Sequence, residues 1–373
     1  MNRRLLNYIL SHPEILDMLG EQLSEDFPEE IVMDFWHPFL RDNRSDFSIS
    51  SADGSYNHRE YVDRILLASM GYAMYSPNDG NMDETHDAFV ATIRSNLIKP
   101  RYRDDFMSLI MSTLELKSLL RITLKNKPDI VLIDGSLRNL ISRHSPNAGW
   151  FPTDGNRIDR GLKEILKRFE MGDFSSPEEK YGLTGEEYLK NGEFEKFVLS
   201  VYVEYLSIIS KLIEKAPGYI VGISKTTLSY VKKIIQEVEV DDIILFSYFT
   251  REMAGYSDGK SYTTGESLEE TESDWHYKWE ILEPFRHLLS VPIYHFYVRF
   301  QDGFRVYRVE VVERDGLNVE DIVSMLQSMS VTGYPVSLKM AHREAGITSE
   351  DMDILERLMV EKGNRLFSVR EGL

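Results

Sequence analysis

The chain of 373 residues contains no cysteine. That excludes disulfides, zinc–thiolate centres and cysteine nucleophiles, and it fits a reducing, cytoplasmic setting. No apolar run is long enough to span a bilayer, so no membrane partner is expected. The start, MNRRLLNYILSHPEILDML, has the basic-then-apolar order of a signal peptide. His12-Pro13, Glu14 and Asp17 interrupt it, and an amphipathic helix pair is the better reading. No G-x-x-x-x-G-K-[S/T] segment occurs, so this chain is not expected to be a motor. Any translocation along a polymer then needs a partner. Positive charge is scarce: 43 Lys and Arg stand against 61 Asp and Glu, a net charge of −18. Lys and Arg supply nonspecific nucleic-acid affinity, so this balance argues against a nucleic-acid coat protein. An enzyme that threads nucleic acid through a narrow basic channel remains compatible. So do many carboxylates free to hold hard cations. There is no internal repeat of fixed period and no low-complexity tract.

The length permits one large domain or two to three ordinary ones, and a 42% apolar content supports a sizeable core. Residues 1–45 read as an amphipathic helical extension with Phe35, Trp36 and Phe39 as apolar anchors. From Phe47 the alternation predicts a weak strand that ends at Asp53. RILLASMGYAMYSP, from Arg64 to Pro77, is a second strand. DAFVATIRSNLI, from Asp87 to Ile98, is a third strand or a helix. Asp104 to Lys127 is a long helix, acidic at its start, basic at its end and broken by Pro128. DIVLID is then a short buried strand. Residues 150–216 read as a helical insertion. GYIVGISKTTLSYVKKIIQEV reads as strand, turn and helix. Residues 255–283 read as an acidic mobile loop. IYHFYVRF and FRVYRVEVV flank Gln301-Asp302-Gly303 as a hairpin, and one or two helices close the chain, with Thr348 or Ser349 as a cap. The whole is an α/β chain with a core from residue 46 to 373.

Asp-Gly is ordinary turn chemistry and occurs seven times, but only Asp53 and Asp134 are followed by Ser. Both close predicted strands. Between them lies Glu115, whose helical neighbours Met111, Leu119 and Ile122 make a mainly apolar stripe. A carboxylate there either snorkels from a helix edge or finds a partner charge, a metal or a raised pKa. If the strand after the helix neighbours the first strand, Asp53, Glu115 and Asp134 meet at one point. Three acidic oxygen ligands suit Mg²⁺ or Mn²⁺. Two such ions can polarise a phosphodiester, activate a water and stabilise the leaving oxyanion. Gly54 and Gly135 would let a backbone or substrate approach closely. Ser55 and Ser136 could bond phosphate or a neighbouring carboxylate.

Strand Asp, helix Glu, strand Asp is the pattern of RNase H-like nucleases. In order along the chain, ADGSYNHREY, LEL followed by VLIDGSL, GISKTT, FYVRF followed by YRVEV, and GYPVSLKMAH resemble the NurA nuclease family. The resemblance covers about Asp53 to His342. It implies an RNase H-like mixed β-sheet core flanked by helices. It implies a manganese-dependent nuclease on single- and double-stranded DNA with 5′-to-3′ exonuclease activity. It also implies a ring-like homodimer that works with the hexameric translocase HerA in DNA end resection. Carried over residue by residue, Asp53, Glu115 and Asp134 match the acidic metal ligands, Tyr334 and His342 match the Tyr-Pro and Ala-His positions, and Lys225 sits in the family-like turn. The fourth metal-site group is His342 or, second, Glu310.

Each assignment has a plainer rival. His342 could be a solvated helix histidine rather than a ligand or general acid. Tyr334 could be packing, or a phosphate or metal-water contact. Lys225 could be an exposed turn lysine, or the group that neutralises the scissile phosphate. Arg299, Arg305 and Arg308 could pair with acids or line a DNA channel, and alternation along a strand argues that at least one is structural. Tyr294, Phe296 and Tyr297 read as sheet core before base-stacking surface. A proofreading-type exonuclease would carry Asp-x-Glu on its first strand, whereas this chain has Asp53-Gly54-Ser55. A catalytically silent scaffold for a DNA-processing ATPase is the rival function. With this net charge, DNA binding by the chain alone is expected to be weak and salt-sensitive.

Overall fold

The computed structural model describes residues 29–39, 46–77, 81–143, 146, 150, 163–167, 181–225, 233–235, 241–250, 252–265 and 280–361. The expected helix pair at the start and the expected helix after Lys225 lie outside these residues.

Ten strands form one mixed sheet among the described residues, and five of them, running out to one edge, make one half of it. β2 (Ile49–Glu60), β3 (Arg64–Ser76) and β4 (Asp83–Arg94) are antiparallel neighbours. β5 (Ile130–Asp134) runs parallel to β2, and β6 (Tyr219–Ser224) runs parallel to β5. The stretch left open between strand and helix is therefore strand β4. The first strand does not stop at Asp53 as its sequence suggested. It runs seven residues further because β3 pairs with it along its whole length, from Ile49↔Ser76 to Glu60↔Ile65. Full-length pairing outweighs the weak apolar alternation of the Ser-rich segment.

On the far side of β6 the sheet continues through β10 (Tyr307–Val312), β9 (Pro292–Arg299), β7 (Gly255–Ser257) and β1 (Trp36–His37). Trp36, expected in a helix, is a strand residue opposite Ser257, preceded by helix α1 (Glu29–Asp34). β8 (Lys260–Thr263) also pairs with β9. So the first part of the segment read as a loop is strand, stabilised by its neighbour rather than by its own polar pattern. Residues 266–279 of that segment lie outside the described ones.

α2 (Arg103–Asn126) has Asp104 and Asp105 in its first turn and Lys125 in its last, matching the helix dipole, and left-handed Lys127 ends it before Pro128. It crosses β2 and β3 on one face of the sheet, with α5 (Phe194–Lys215) packed behind it. α3 (Leu137–Ile141) follows β5, and α4 (Glu186–Lys190) precedes α5. On the opposite face lie α7 (Val319–Ser328), α8 (Val336–Ala345) and α9 (Ser349–Glu361), while α6 (Asp242–Phe249) packs near β1. The alternation is visible along β5. Val131 and Ile133 belong to the core beneath α2, and Ile130 and Leu132 to the core beneath α7 and α8. Thr348 caps α9, its hydroxyl accepting from Asp351 N at 3.2 Å.

α2 and α5 are joined by charge as well as by apolar packing. Buried Lys117 donates to Glu204 at 2.6 Å and to the Gly182 carbonyl at 2.7 Å. Glu204 also accepts from Thr184 N at 2.7 Å. One turn on, Arg121 pairs with buried Asp87 of β4 at 2.5 Å. No helix among the described residues is long and apolar enough to cross a membrane.

Candidate metal and active site

The parallel ladder β2–β5 ends with Ala52 opposite Ile133, so Asp53 and Asp134 are the next residues of adjacent strands. Ala52 faces α2, and alternation turns Asp53 to the other side. There Asp53 Oδ2 accepts from His342 Nδ1 of α8 at 2.5 Å, and its Oδ1 accepts from Gly54 N at 2.9 Å. Lys225, just past β6, donates to Asp134 Oδ2 at 2.9 Å. Its ammonium lies 5.1 Å from the ring centroid of buried Tyr334, at the short strand β11 (Tyr334–Pro335) that leads into α8.

Glu115 reaches this point because the sheet is low beneath it. Gly54 of β2 and Gly71 of β3 are directly paired, with Ala52 and Ala73 beside them. A Cβ on Gly71 would stand 2.2 Å from the Glu115 backbone nitrogen. One on Gly54 would stand 3.2 Å from Glu115 Oε2. At Gly71 the helix backbone itself touches the sheet, and at Gly54 the Met111 and Glu115 side chains lie where a side chain would stand. Gly54 thus admits the helix rather than a substrate. Gly135 has φ of 130°, open to glycine, and turns the chain after Asp134.

The electrostatics follow from this geometry. Glu115 is 7% exposed and forms no ion pair or hydrogen bond among the described residues. Burial first, and then the charges of Asp53 and Asp134, push its carboxyl up to about 8, while Arg143 pulls it down. Burial also raises Asp53, with Asp134 adding to it, against the hydrogen bonds from His342 and Gly54. Burial holds the Tyr334 hydroxyl well above its ordinary value, and the Asp134 charge adds to that. The Tyr334 hydroxyl faces Asp134 without a well-formed hydrogen bond.

Asp53, Glu115, Asp134, His342, Lys225 and Tyr334 are therefore one neighbourhood. Glu310 is not free to join it. It is fully buried and paired with Arg308 at 2.7 Å. It also accepts from Ser136 Oγ at 3.0 Å, from Arg138 N at 3.1 Å and from the Tyr262 hydroxyl at 3.2 Å. Glu310 thus anchors the turn behind Asp134, and Ser136 caps α3. Ser55 accepts from Ile347 N at 3.2 Å, tying β2 to the segment before α9. Arg299 is buried and bonds Thr250 Oγ1 at 2.7 Å and the Ser247 carbonyl at 3.0 Å, a structural role, as is that of Arg308. Arg305 alone is exposed, and it donates to the Lys225 carbonyl at 2.6 Å. Phe296 and Tyr297 are buried in the core.

Sequence reasoning missed Gly71, Arg143 and Tyr262; it offered Arg308 as a partner of acids and Ser136 as a partner of a carboxylate, but not that Glu310 is the acid both of them meet. A glycine inside a strand signals close backbone approach and was readable. Arg308 and Glu310, two apart on one strand, share a face and were readable too. Among the described residues no three Asp, Glu or His side chains close into a ready ligand cage. Asp53 and Asp134 are each turned to a nitrogen partner, the His342 ring and the Lys225 ammonium. The donor chemistry still fits a hard divalent cation, because three mutually repelling carboxylates, one of them buried and unpaired, gain from a positive charge between them.

Known proteins resemble this chain over nearly its full length. The probable DNA double-strand break repair nuclease NurA of Methanocaldococcus jannaschii is 24% identical over 370 residues, covering 95% of this chain and 89% of that protein. The DNA double-strand break repair nuclease NurA of Saccharolobus solfataricus is 28% identical, covering 94% and 93%. The crystal structure of the NurA nuclease from Sulfolobus solfataricus superposes with a TM-score of 0.67 at 19% identity, covering 97% of both chains. A crystal structure of NurA bound to dAMP and manganese gives 0.62 at 17% identity, covering 97% of this chain and 98% of that one. These structures share the mixed sheet flanked by helices. The NurA domain itself matches residues 47–347, from two residues before β2 to two residues after α8, and the chain belongs to the NurA family.

Proposed function

We propose that this chain is a divalent-metal-dependent deoxyribonuclease acting in DNA end processing. The carrying observation is Glu115, a buried carboxylate that feels the charges of Asp53 and Asp134 and, although Arg143 offsets part of them, forms no ion pair or hydrogen bond among the described residues. Asp53, Glu115 and Asp134 would hold Mn²⁺, or Mg²⁺, as two ions in the full reading, with His342 as a further ligand or a proton donor. Divalent cations bound to such carboxylates polarise a phosphodiester and lower the pKa of a bound water. Lys225 offsets charge on the scissile phosphate. His342 keeps Nδ1 on Asp53 and has an 80% exposed side chain, so Nε2 can pass a proton to a leaving 3′ oxygen. Tyr334 walls the site and keeps water from Asp134.

The finer reading is a 5′-to-3′ exonuclease with single-strand endonuclease activity, acting as a homodimer with a HerA-type hexameric ATPase. Support comes from relatives named as DNA double-strand break repair nucleases and from a related structure holding dAMP and manganese. The absence of a G-x-x-x-x-G-K-[S/T] segment from this sequence fits a separate motor. The test is cleavage of end-labelled single-stranded DNA with added Mn²⁺, comparing wild type with Asp53→Asn. Cleavage by wild type alone is expected, and equal cleavage by both overturns the site. Inertness of both, persisting with a HerA-type ATPase present, favours a silent scaffold.

A further inference from the structure

The turn between β9 and β10 ends beside the site. Phe304 lies against Gly333, whose added Cβ would be 2.4 Å from the phenyl ring, yet the residue is 38% exposed. Gly333 immediately precedes Tyr334. Next to Phe304, the Arg305 guanidinium donates to the Lys225 carbonyl and sits 5.4 Å from the Tyr307 ring centroid. Tyr307 in turn packs on Tyr334 at 5.1 Å, and Lys225 covers the other part of Tyr334 and pairs with Asp134. Phe304 and Arg305 are thus tied, one by packing and one by a hydrogen bond, to the two segments that carry Tyr334 and Lys225. The remaining guanidinium nitrogens of Arg305 form no hydrogen bond among the described residues. On the other side of the turn, Asp302 is occupied by Ala254 N at 2.7 Å.

An aromatic face open to solvent beside an exposed guanidinium is the combination that grips single-stranded nucleic acid. The ring stacks on any base, and the cation takes the neighbouring phosphate. Here it stands at the rim of a phosphodiester site in a chain of net charge −18, where general electrostatic attraction is weak. We propose that Phe304 and Arg305 form a nucleotide-gripping lip, with Phe304 stacking on a base of the single strand entering the site and Arg305 holding the adjoining phosphate. The proposal rests on the nuclease reading above. It makes the lip the source of preference for strands with unpaired bases over intact duplex.

The test is fluorescence anisotropy at low salt with chelator present, so that nothing is cut. The probes are a labelled oligothymidine and a strand of equal length built only of abasic nucleotides. Wild type should bind oligothymidine more tightly than the abasic strand. Phe304→Ala should weaken oligothymidine binding by about 5-fold or more, in line with the loss of one stacked base, and leave the abasic strand unchanged. Phe304→Tyr should restore it. Arg305→Gln should weaken both strands alike. Equal loss on both strands for Phe304→Ala, or no loss on either, overturns the lip, as does equal binding of the two strands by wild type. Wild-type cleavage with Mn²⁺, run in parallel, separates the two readings. If it persists while the lip predictions fail, only the lip is wrong. If it is absent, and stays absent with a HerA-type ATPase present, the nuclease reading fails with it.

Discussion

Replacing Glu115 by Gln tests the physics of the site independently of any catalysis. In the wild type the carboxyl is held at about 8 instead of 4.5, by burial and by Asp53 and Asp134. A folded value above the unfolded one means that this group's contribution is fully present below pH 4.5 and is lost as pH rises through 8. Each pH unit crossed costs ~1.4 kcal/mol, so the interval from 4.5 to about 8 amounts to at most about 5 kcal/mol. Glutamine has the shape of the neutral acid and cannot ionise. Chemical denaturation in chelator at pH 5 and pH 9 should therefore show the two proteins close at pH 5. At pH 9 the variant should be the more stable, by up to that amount. Added Mn²⁺ at pH 9 should raise the wild type more than the variant, because only the wild type offers the buried negative charge. An offset between the two proteins that is the same at both pH values would refute the reasoning, since it would mean that Glu115 does not carry its proton to high pH.

Two further outcomes follow from the packing. Gly71→Ala puts a methyl group 2.2 Å from the backbone of α2, which must lift. A stability loss of about 2–4 kcal/mol is expected, with weaker Mn²⁺ binding by titration, and an unchanged metal midpoint would show that helix height does not place Glu115. Glu310→Gln leaves Arg308 charged and buried, so a loss of about 3–5 kcal/mol in a denaturant melt is expected. A neutral result would mean that the ion pair does not hold the turn after Asp134.

Much of this was legible in the sequence, for physical reasons. The long helix announced itself by its acids, its last-turn lysine and Pro128, and β5 by a short apolar run, mostly β-branched, buried on both faces. The neighbourhood of Asp53, Glu115 and Asp134 followed from one assumption, that the strand after the helix pairs with the first, and the parallel register from Ile49↔Ile130 to Ala52↔Ile133 meets it. What was not legible depends on neighbours. Asp53 looked like a strand end because nothing local shows that β3 continues beside it. Gly255–Ser257 and Lys260–Thr263 carry no strand pattern of their own and are ordered by β9. Glu310 looked available as a ligand because its partners, save Arg308 on its own strand, come from two distant segments, Ser136–Arg138 and Tyr262.

The ion pair between Lys117 and Glu204 has a mechanical meaning. Lys117 stands two residues from Glu115 on the same helix, pointing away from the site into the layer beneath α5. Rolling α2 about its axis would move Glu115 only by dragging a charged ammonium out of its carboxylate and carbonyl partners, a motion that costs several kcal/mol. The helix behaves as a keyed shaft, with the charged pair as its key. One wall of the site is thereby fixed in advance. His342, mostly exposed on α8, belongs to the opposite wall, where its one bond to Asp53 is all that is set against rotation of the ring among the described residues.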